Sequence, residues 1–363
     1  MCYNISTIIN RKGCDIVAVK KVTMQDIADA CGLSRNTVSK IFNNRGSVPE
    51  STRVMVLSKA RELGYGQIPE EVVPVADDGV KNIALLTQHK LLTHNFGTYF
   101  ITSFTDYICR SGYTIKMFEI SDEEIASVTL PPFLKLDETA GILCIELFDR
   151  TYLEMVASLG LPCVFVDGFA GSRRPLLICD YISMENYSSS MALTEHLIEK
   201  GAQRIGFVGD KTHCNSFHER WLAYRDTLID HGLPSGDALS ILEKDCENYG
   251  DPDWLAEQIS RLPSIPDAFV CANDYLAVHL MAALKKLGLK IPQDVMVTGF
   301  DGSPEAFLVE PTLTTARICS EDIGRTAGNM LIDRIHHPEH LFRDVSILST
   351  PVWGGSTRRP DVR

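Results

Sequence analysis

The chain of 363 residues holds eleven cysteines yet no C-x-x-C pair, and neither its cysteines nor its histidines show metal-ligand spacing. Most of the cysteines sit in apolar runs, as Cys144, Cys163, Cys179 and Cys271 do. They read as reduced, buried small hydrophobes of a cytoplasmic protein, not as a disulfide framework or a metal centre. No apolar stretch approaches the ~20 residues needed to span a bilayer, and the head MCYNISTIINRKGCDIVAVKK has no signal-peptide core or cleavage site. Catalytic signatures are missing too: no G-x-G-x-x-G, P-loop, H-E-x-x-H or G-x-S-x-G occurs, and no Ser or Cys is marked out beside a base. The sequence thus implies no cofactor, no metal and no catalytic residue. Positive charge is also short, with 35 Lys and Arg against 47 Asp and Glu and a net charge of −12. That balance excludes a surface that grips polyanions everywhere, so any nucleic-acid contact must be local.

What positive charge there is lies at one end. Residues 1–65 hold ten Lys and Arg against five Asp and Glu, a net of +5, while the remainder carries a net of −17. A basic head on an acidic body points to a nucleic-acid footprint confined to the head. Within it, Thr23 with Asp26 three residues later forms a capping-box-like start for a helix to about Ala30, and Cys31-Gly32-Leu33 ends it. Ser34 caps a second helix whose inward Val38, Ile41 and Phe42 match Ile27, Ala28 and Leu33 across the turn. A third helix begins at Ser47-Val48-Pro49-Glu50, buries Val54, Leu57, Ala60 and Leu63, and stops at Gly64. The outer face of the second helix is polar: Arg35, Asn36, Thr37, Ser39 and Lys40. Arg and Lys donate to guanine edges and Asn pairs with adenine, so this face suits a major groove. Thr23, Ser34, Asn43 and Arg45, with Asn44, are placed to meet phosphates. A three-helix bundle with a solvated polar face is the plainer reading of the pattern alone; the charge asymmetry argues against it.

The run VTMQDIADACGLSRNTVSKIFN, followed by V-P-E-S-T-R-V and E-L-G-Y, resembles the helix-turn-helix headpiece of the lactose-repressor (LacI/GalR) family of bacterial transcription regulators over about 45 residues without a gap. The resemblance implies that Arg35, Asn36 and Lys40 read base edges. It also implies a hinge helix of the form Pro-Asn-x-x-Ala-x-x-Leu in the next segment, and here the sequence departs from the family. Residues 66–81, GQIPEEVVPVADDGVK, place Pro74 or Ala76 where that Leu belongs and add four acids that would repel phosphate. We read them as a linker.

From Asn82 the pattern alternates short apolar runs with helices, which indicates two doubly wound parallel-sheet lobes. Expected helices run about Thr98 to Ser111, Tyr152 to Leu159, Asn186 to Lys200 and Glu219 to His231. Two segments share a plan of strand, polar turn, helix, Leu-Gly-Leu, Pro, strand and Asp-Gly: GILCIELFDRTYLEMVASLGLPCVFVDG and DAFVCANDYLAVHLMAALKKLGLKIPQDVMVTGFDG. The expected organisation is an N-terminal extension (1–21), a headpiece (22–65), the linker (66–81), an α/β core (82–353) and a tail (354–363). In the core the first lobe covers about 82–180, the second about 181–310, and 311–353 crosses back.

Ligands of such sheets sit beyond the carboxyl ends of the strands. Asp167, Asn273-Asp274 and Asp301 fall there, and Arg220, opening the helix after RIGFVGD, can reach the same space. Carboxylates, an amide and a guanidinium bond vicinal hydroxyls in pairs, while Phe96, Tyr99 and Phe100 offer faces for a sugar ring. Taken singly, each Asp is as well explained as a helix cap and each aromatic as core. C-A-N-D, G-F-D, Ser216-x-x-Glu219-Arg220 and Pro311-x-Leu-Thr-Thr315 resemble the effector core of the same family, which is similar to periplasmic sugar-binding proteins. That likeness implies that Asp167, Arg220, Asn273 and Asp301 contact the effector, though Ala202 and Ala223 depart from its usual His and Gly. The expected function is a repressor acting as a homodimer on a near-palindromic DNA operator, switched by a carbohydrate. Two alternatives stand beside it: an enzyme using Asp167 and Asp301 as a glycosidase-like pair, and a free sugar-binding module.

Overall fold

The computed structural model describes residues 22–42, 48–49, 52, 55–56, 59–60, 63, 65, 82–88, 95–171, 179–244 and 247–358. The chain divides into two compact units, Met1–Val72 and Val73–Arg363. The expected linker 66–81, Asn43, Arg45, Val54, Leu57 and Gly64 lie outside the described residues.

In the first unit, α1 (Met24–Cys31) opens on a reciprocal capping box. The Asp26 N–H donates to Thr23 Oγ1 at 3.3 Å and the Thr23 N–H to Asp26 Oδ2 at 2.7 Å. It closes on Gly32 at φ 64°, a left-handed backbone that glycine adopts without strain. Ser34 Oγ accepts the Thr37 N–H at 3.1 Å and starts α2 (Arg35–Phe42). Ile27, Ala28, Val38 and Ile41 form a core with Val56 and Ala60 from a third helical stretch. Val56 is fully buried at a position the sequence pattern passed over.

In the second unit, one six-stranded parallel sheet has the order β10-β5-β4-β3-β1-β2. Its strands are β1 (Asn82–Thr87), β2 (Thr114–Glu119), β3 (Thr139–Ile145), β4 (Cys163–Val166), β5 (Asp180–Met184) and β10 (Asp344–Ile347). A second parallel sheet joins β6 (Ile205–Val208), β7 (Ala268–Cys271) and β8 (Met296–Thr298). β9 (Thr315–Arg317) and β11 (Thr350–Val352) pair antiparallel. The helices that matter for the site are α3 (Asn95–Arg110), α5 (Arg150–Ala157), α6 (Tyr187–Glu199), α7 (Asn215–Asp230), α9 (Asp274–Lys286), α10 (Pro304–Leu308) and α11 (Ser320–His336); α4 (Asp122–Ser127) and α8 (Pro252–Arg261) are peripheral to it.

The two similar segments fold as β3-α5-β4 and β7-α9-β8, each a parallel strand pair with a helical crossover. β5 places the end of the first sheet at Met184, past the residue 180 that the internal likeness suggests. Its sequence DYISM has no apolar run, yet all five residues are buried. Asp180 is tolerated there because Arg334 donates to it at 2.9 and 3.2 Å. After Thr314 the chain returns: α11 packs on α3, and β10 joins the first sheet. The close approach of α11 depends on glycine, because a Cβ at Gly324 would lie 2.4 Å from the Phe100 carbonyl oxygen and one at Gly328 2.8 Å from the Tyr107 ring.

Candidate functional site

On the headpiece, Ser34, Arg35, Asn36 and Lys40 are exposed on one side of α2, with Thr37 and Ser39 half-buried beside them. Thr23 and Ser34 serve as caps: the Thr23 hydroxyl also donates to Asp26 Oδ2 at 2.6 Å, and Ser34 Oγ lies 2.9 Å from Thr37 Oγ1. The two hydroxyls thus sit at the helix starts, where backbone N–H groups also point outward.

In the second unit a cavity of about 900 Å³ opens between the two sheets. All six residues expected there line it: Phe96, Tyr99, Asp167, Arg220, Asn273 and Asp301. Phe100 does not; it is fully buried and stacks on Phe104 at 5.9 Å as core. Phe96 and Tyr99 stand in the first turns of α3, which begins at Asn95 and not near Thr98 as expected. Arg220 does not open its helix either, because α7 starts at Asn215 and sets Arg220 in its second turn.

That shift makes Arg220 a hub. Its side chain is only 3% exposed. Nε donates to Asn186 Oδ1 at 2.9 Å, Nη1 donates to the Ala272 carbonyl at 2.7 Å and to Asp301 Oδ1 at 3.3 Å, and the guanidinium lies 3.8 Å from the Phe300 ring centroid. It therefore ties together the ends of β7 and β8 and the chain that follows β5. Asp167 bridges from the other direction: its Oδ1 accepts the Ser216 N–H at 3.1 Å, at the start of α7, and the Asn215 N–H donates to the Gly168 carbonyl at 2.8 Å. Asn273 caps α9 by accepting the Leu276 N–H at 3.0 Å while still facing the cavity. Asp274 is buried behind it, accepting from Thr315 Oγ1 at 2.6 Å and from the Ser303 N–H at 2.7 Å.

Asp167 follows β4 directly and Asp301 lies three residues beyond β8, matching Asp-Gly corners of the two similar segments, and both hold a left-handed backbone, at φ 60° and 119°. Strain of that kind in a residue with a Cβ persists where the surroundings impose it. Burial raises the Asp167 carboxyl above its usual range and raises Asp301 to about 6 against the opposing pull of Arg220. Burial and then the Asp301 charge push Asp274 up to about 7.

Sequence reasoning missed Glu146, which follows β3 as Asp167 follows β4 and lines the cavity with φ 50°. The strand-end rule would have found it. It also missed an aromatic wall: Phe148 meets His213 edge to face at 5.0 Å, and His213 meets Phe217 at 5.1 Å. Burial raises Glu146 to about 7, with His213 lowering and Asp301 raising it. A carboxyl whose folded pKa exceeds its unfolded one binds protons more tightly when folded, so its contribution to stability falls as pH rises through that value. The loss runs from the unfolded value of 4.5 up to about 7, so Glu146→Gln is expected to leave the melting temperature nearly unchanged at pH 4 and to raise it at pH 8. Equal shifts at the two pH values would show that Glu146 does not titrate in this window.

Comparison with known proteins adds the family. Residues 23–67 match the model of the bacterial regulatory proteins of the lacI family, and residues 194–357 match that of a periplasmic binding protein-like domain; together they take in more than half of the chain. The transcriptional regulator GalR of Streptococcus thermophilus is 28% identical over 327 residues, covering 88% of this chain and 94% of that protein. The transcriptional regulator CelR of Thermobifida fusca is 25% identical over 329 residues, covering 87% and 92%. Among solved structures, a complex of the regulator CelR with cellobiose superposes with a TM-score of 0.67 at 24% identity, covering 93% of this chain and all of that one. A lac repressor dimer bound to operator and an anti-inducer gives 0.66 at 19%, covering 93% and 99%. These two likenesses speak for the fold. With a helix-turn-helix head and a periplasmic-binding-protein-like core, the chain belongs to the lacI family of bacterial regulatory proteins, which are DNA-binding transcriptional regulators.

Proposed function

We propose that this protein is a homodimeric repressor that reads a near-palindromic operator with the 22–65 headpiece and responds to a carbohydrate held in the 82–353 core. The observation that carries the ligand reading is the Arg220–Asp301 pair, with Asp167 opposite it, in a cavity walled by aromatic side chains. Paired donors and acceptors suit vicinal hydroxyls, and aromatic faces suit the apolar face of a pyranose. One solved relative, the regulator CelR, is a complex with cellobiose, while other relatives carry the name PurR, which is why the ligand screen below includes nucleobases.

In this reading Arg35, Asn36, Thr37, Ser39 and Lys40 face the major groove, and Thr23, Ser34, Asn43 and Arg45 meet phosphates. A single headpiece reads about four or five base pairs, too few for selectivity, so two on a symmetric dimer read two half-sites. Sugar closing the cleft turns the lobes and changes the spacing of the headpieces. Operator affinity then moves as far as the sugar discriminates between the two forms, typically by ~1–3 kcal/mol.

The test is a pair of variants with separate readouts. Arg35→Ala is expected to weaken operator binding by ~1–3 kcal/mol and to relax base choice locally, with the sugar response intact. Asp301→Ala is expected to abolish the response while operator affinity stays near wild type. A ligand screen by thermal shift should include nucleobases beside mono- and disaccharides, because tight binding to the native form raises the melting temperature. Stabilisation by a nucleobase alone would overturn the carbohydrate assignment, and equal loss of Arg35→Ala affinity on operator and random DNA would make Arg35 a phosphate contact.

A further inference from the structure

The turn between α11 and β10 reads His336-His337-Pro338-Glu339-His340, and three of its side chains converge although spacing in the sequence showed no metal motif. His337, Glu339 and His340 are exposed, and their ligand atoms all lie within 4.8 Å of one another. Glu339 Oε1 stands 3.6 Å from His337 Nδ1 and 4.0 Å from His340 Nε2. Four-coordinate zinc with bonds of about 2.0–2.2 Å sets neighbouring ligand atoms roughly 3.3–3.6 Å apart, so the two Glu339 contacts are within a few tenths of an ångström of a coordinating arrangement, while the two imidazoles, stacked with centroids 4.8 Å apart, must turn toward each other by about an ångström to complete it.

Two further observations distinguish the turn from a chance meeting of surface charges. The first concerns the orientation of His340. Its Nδ1 lies 3.1 Å from Asp333 Oδ2, and because a carboxylate only accepts, Nδ1 carries the proton and donates. In the neutral ring Nε2 then keeps its lone pair, 4.0 Å from Glu339 Oε1. A histidine whose second nitrogen donates to a carboxylate is the usual orienting arrangement of metal-ligating imidazoles. Asp333 is held in turn by Arg343 Nη2 at 3.0 Å.

The second observation is the rigidity of the backbone that presents the ligands. Arg334, 3% exposed, spends its guanidinium on the turn: Nη1 donates to the carbonyls of Pro338, at 3.2 Å, and of His340, and Nη2 donates to that of Leu341 at 2.9 Å. The same guanidinium is anchored by buried Asp180, which also accepts the Arg343 N–H at 2.7 Å. The turn is thus clamped from within the protein before any ligand arrives, which removes much of the ordering cost of binding.

We propose that this turn is a binding site for a borderline-soft divalent cation of the zinc class, with His337, Glu339 and His340 as ligands and Asp333 as the positioning residue. Two imidazoles and one carboxylate favour zinc, nickel or copper over magnesium or calcium, which prefer all-oxygen shells. Water completes the shell on the exposed side. The site lies on the elements that return to the first sheet and is separate from the ligand cavity, whose lining includes none of the three residues.

The experiment is calorimetric titration of the untagged full-length protein with Zn²⁺, repeated with Co²⁺ as an absorption probe. One equivalent per chain is expected, with His337→Ala, His340→Ala and Glu339→Gln each weakening binding tenfold or more. Asp333→Asn is expected to weaken zinc about tenfold and to shift the Co²⁺ absorption band. His231→Ala, at the end of α7, is expected to bind as wild type does. No saturable binding, unchanged affinity in the three ligand variants, or loss in His231→Ala would each overturn the site. An Asp333→Asn protein with wild-type zinc affinity and Co²⁺ spectrum would remove Asp333 from it.

Discussion

Arg220→Met is expected to destabilise the core by ~3–5 kcal/mol and to abolish the response to ligand. The guanidinium is buried, and removing it strands three acceptors at once: Asn186 Oδ1, the Ala272 carbonyl and the Asp301 carboxylate. A buried ion pair contributes little when compared with an apolar isostere of both partners, but removal of one partner leaves the other charge uncompensated. Asp301 would then keep only the burial that raises its pKa and lose the Arg220 charge that lowers it. For a unit of this size the cost corresponds to a fall of roughly 10 °C in melting temperature. The measurement is a thermal melt with and without sugar. A variant as stable as wild type would mean that the contacts around Arg220 rearrange at no cost. Lysine is not expected to rescue it, because a point charge cannot reproduce a planar fork with three acceptors.

The second large effect is expected in the headpiece. Ile27 is fully buried between α1, α2 and the third helical stretch. Truncating such a residue to alanine costs ~2–5 kcal/mol, whereas a headpiece of some 45 residues, at ~0.05–0.15 kcal/mol per residue, has about 2–7 kcal/mol in total. Ile27→Ala should therefore unfold much of the headpiece and reduce operator affinity more than a hundredfold, without touching the core. Operator titration together with the ligand-induced shift in core melting checks this, and retained operator binding would sink it. Arg35→Ala, by contrast, removes a side chain from a folded surface, so its effect is local.

How much of the molecule was readable in advance depended on how local its causes are. Thr23, Asp26 and Gly32 act within one turn of their own helix, so the start and end of α1 could be read from spacing alone. The apolar runs of β1, β3, β4 and β7 are each buried on both faces and were equally legible. β5 was not, because its Asp180 is acceptable only once Arg334, 154 positions later, reaches it. The start of α7 was misjudged for a related reason: its first N–H groups are satisfied by Asp167 and Gly168 from the first lobe, a cap no local pattern can reveal. Phe100 was offered to the cavity because it lies with Phe96 and Tyr99 just after the first strand, but α11 closes over that side of α3 through Gly324.

The candidate site divides in the same way. Placing Asp167, Asn273 and Asp301 at strand ends needed only the rule that α/β sheets bind at their carboxyl edge, and the likeness of the two segments carried both Asp-Gly corners. What Arg220 binds, that Glu146 shares the cavity, and that His337, Glu339 and His340 meet in one turn all follow from contacts between distant or folded-back segments. Sequence by itself determined the class of the elements with apolar runs or local caps, the basic head, the acidic body and the family, because periodicity, capping and charge are properties of neighbouring residues. Tertiary structure alone decided which polar groups converge and how their protons are held, because burial and distance exist only after lobes far apart in the chain have been packed together.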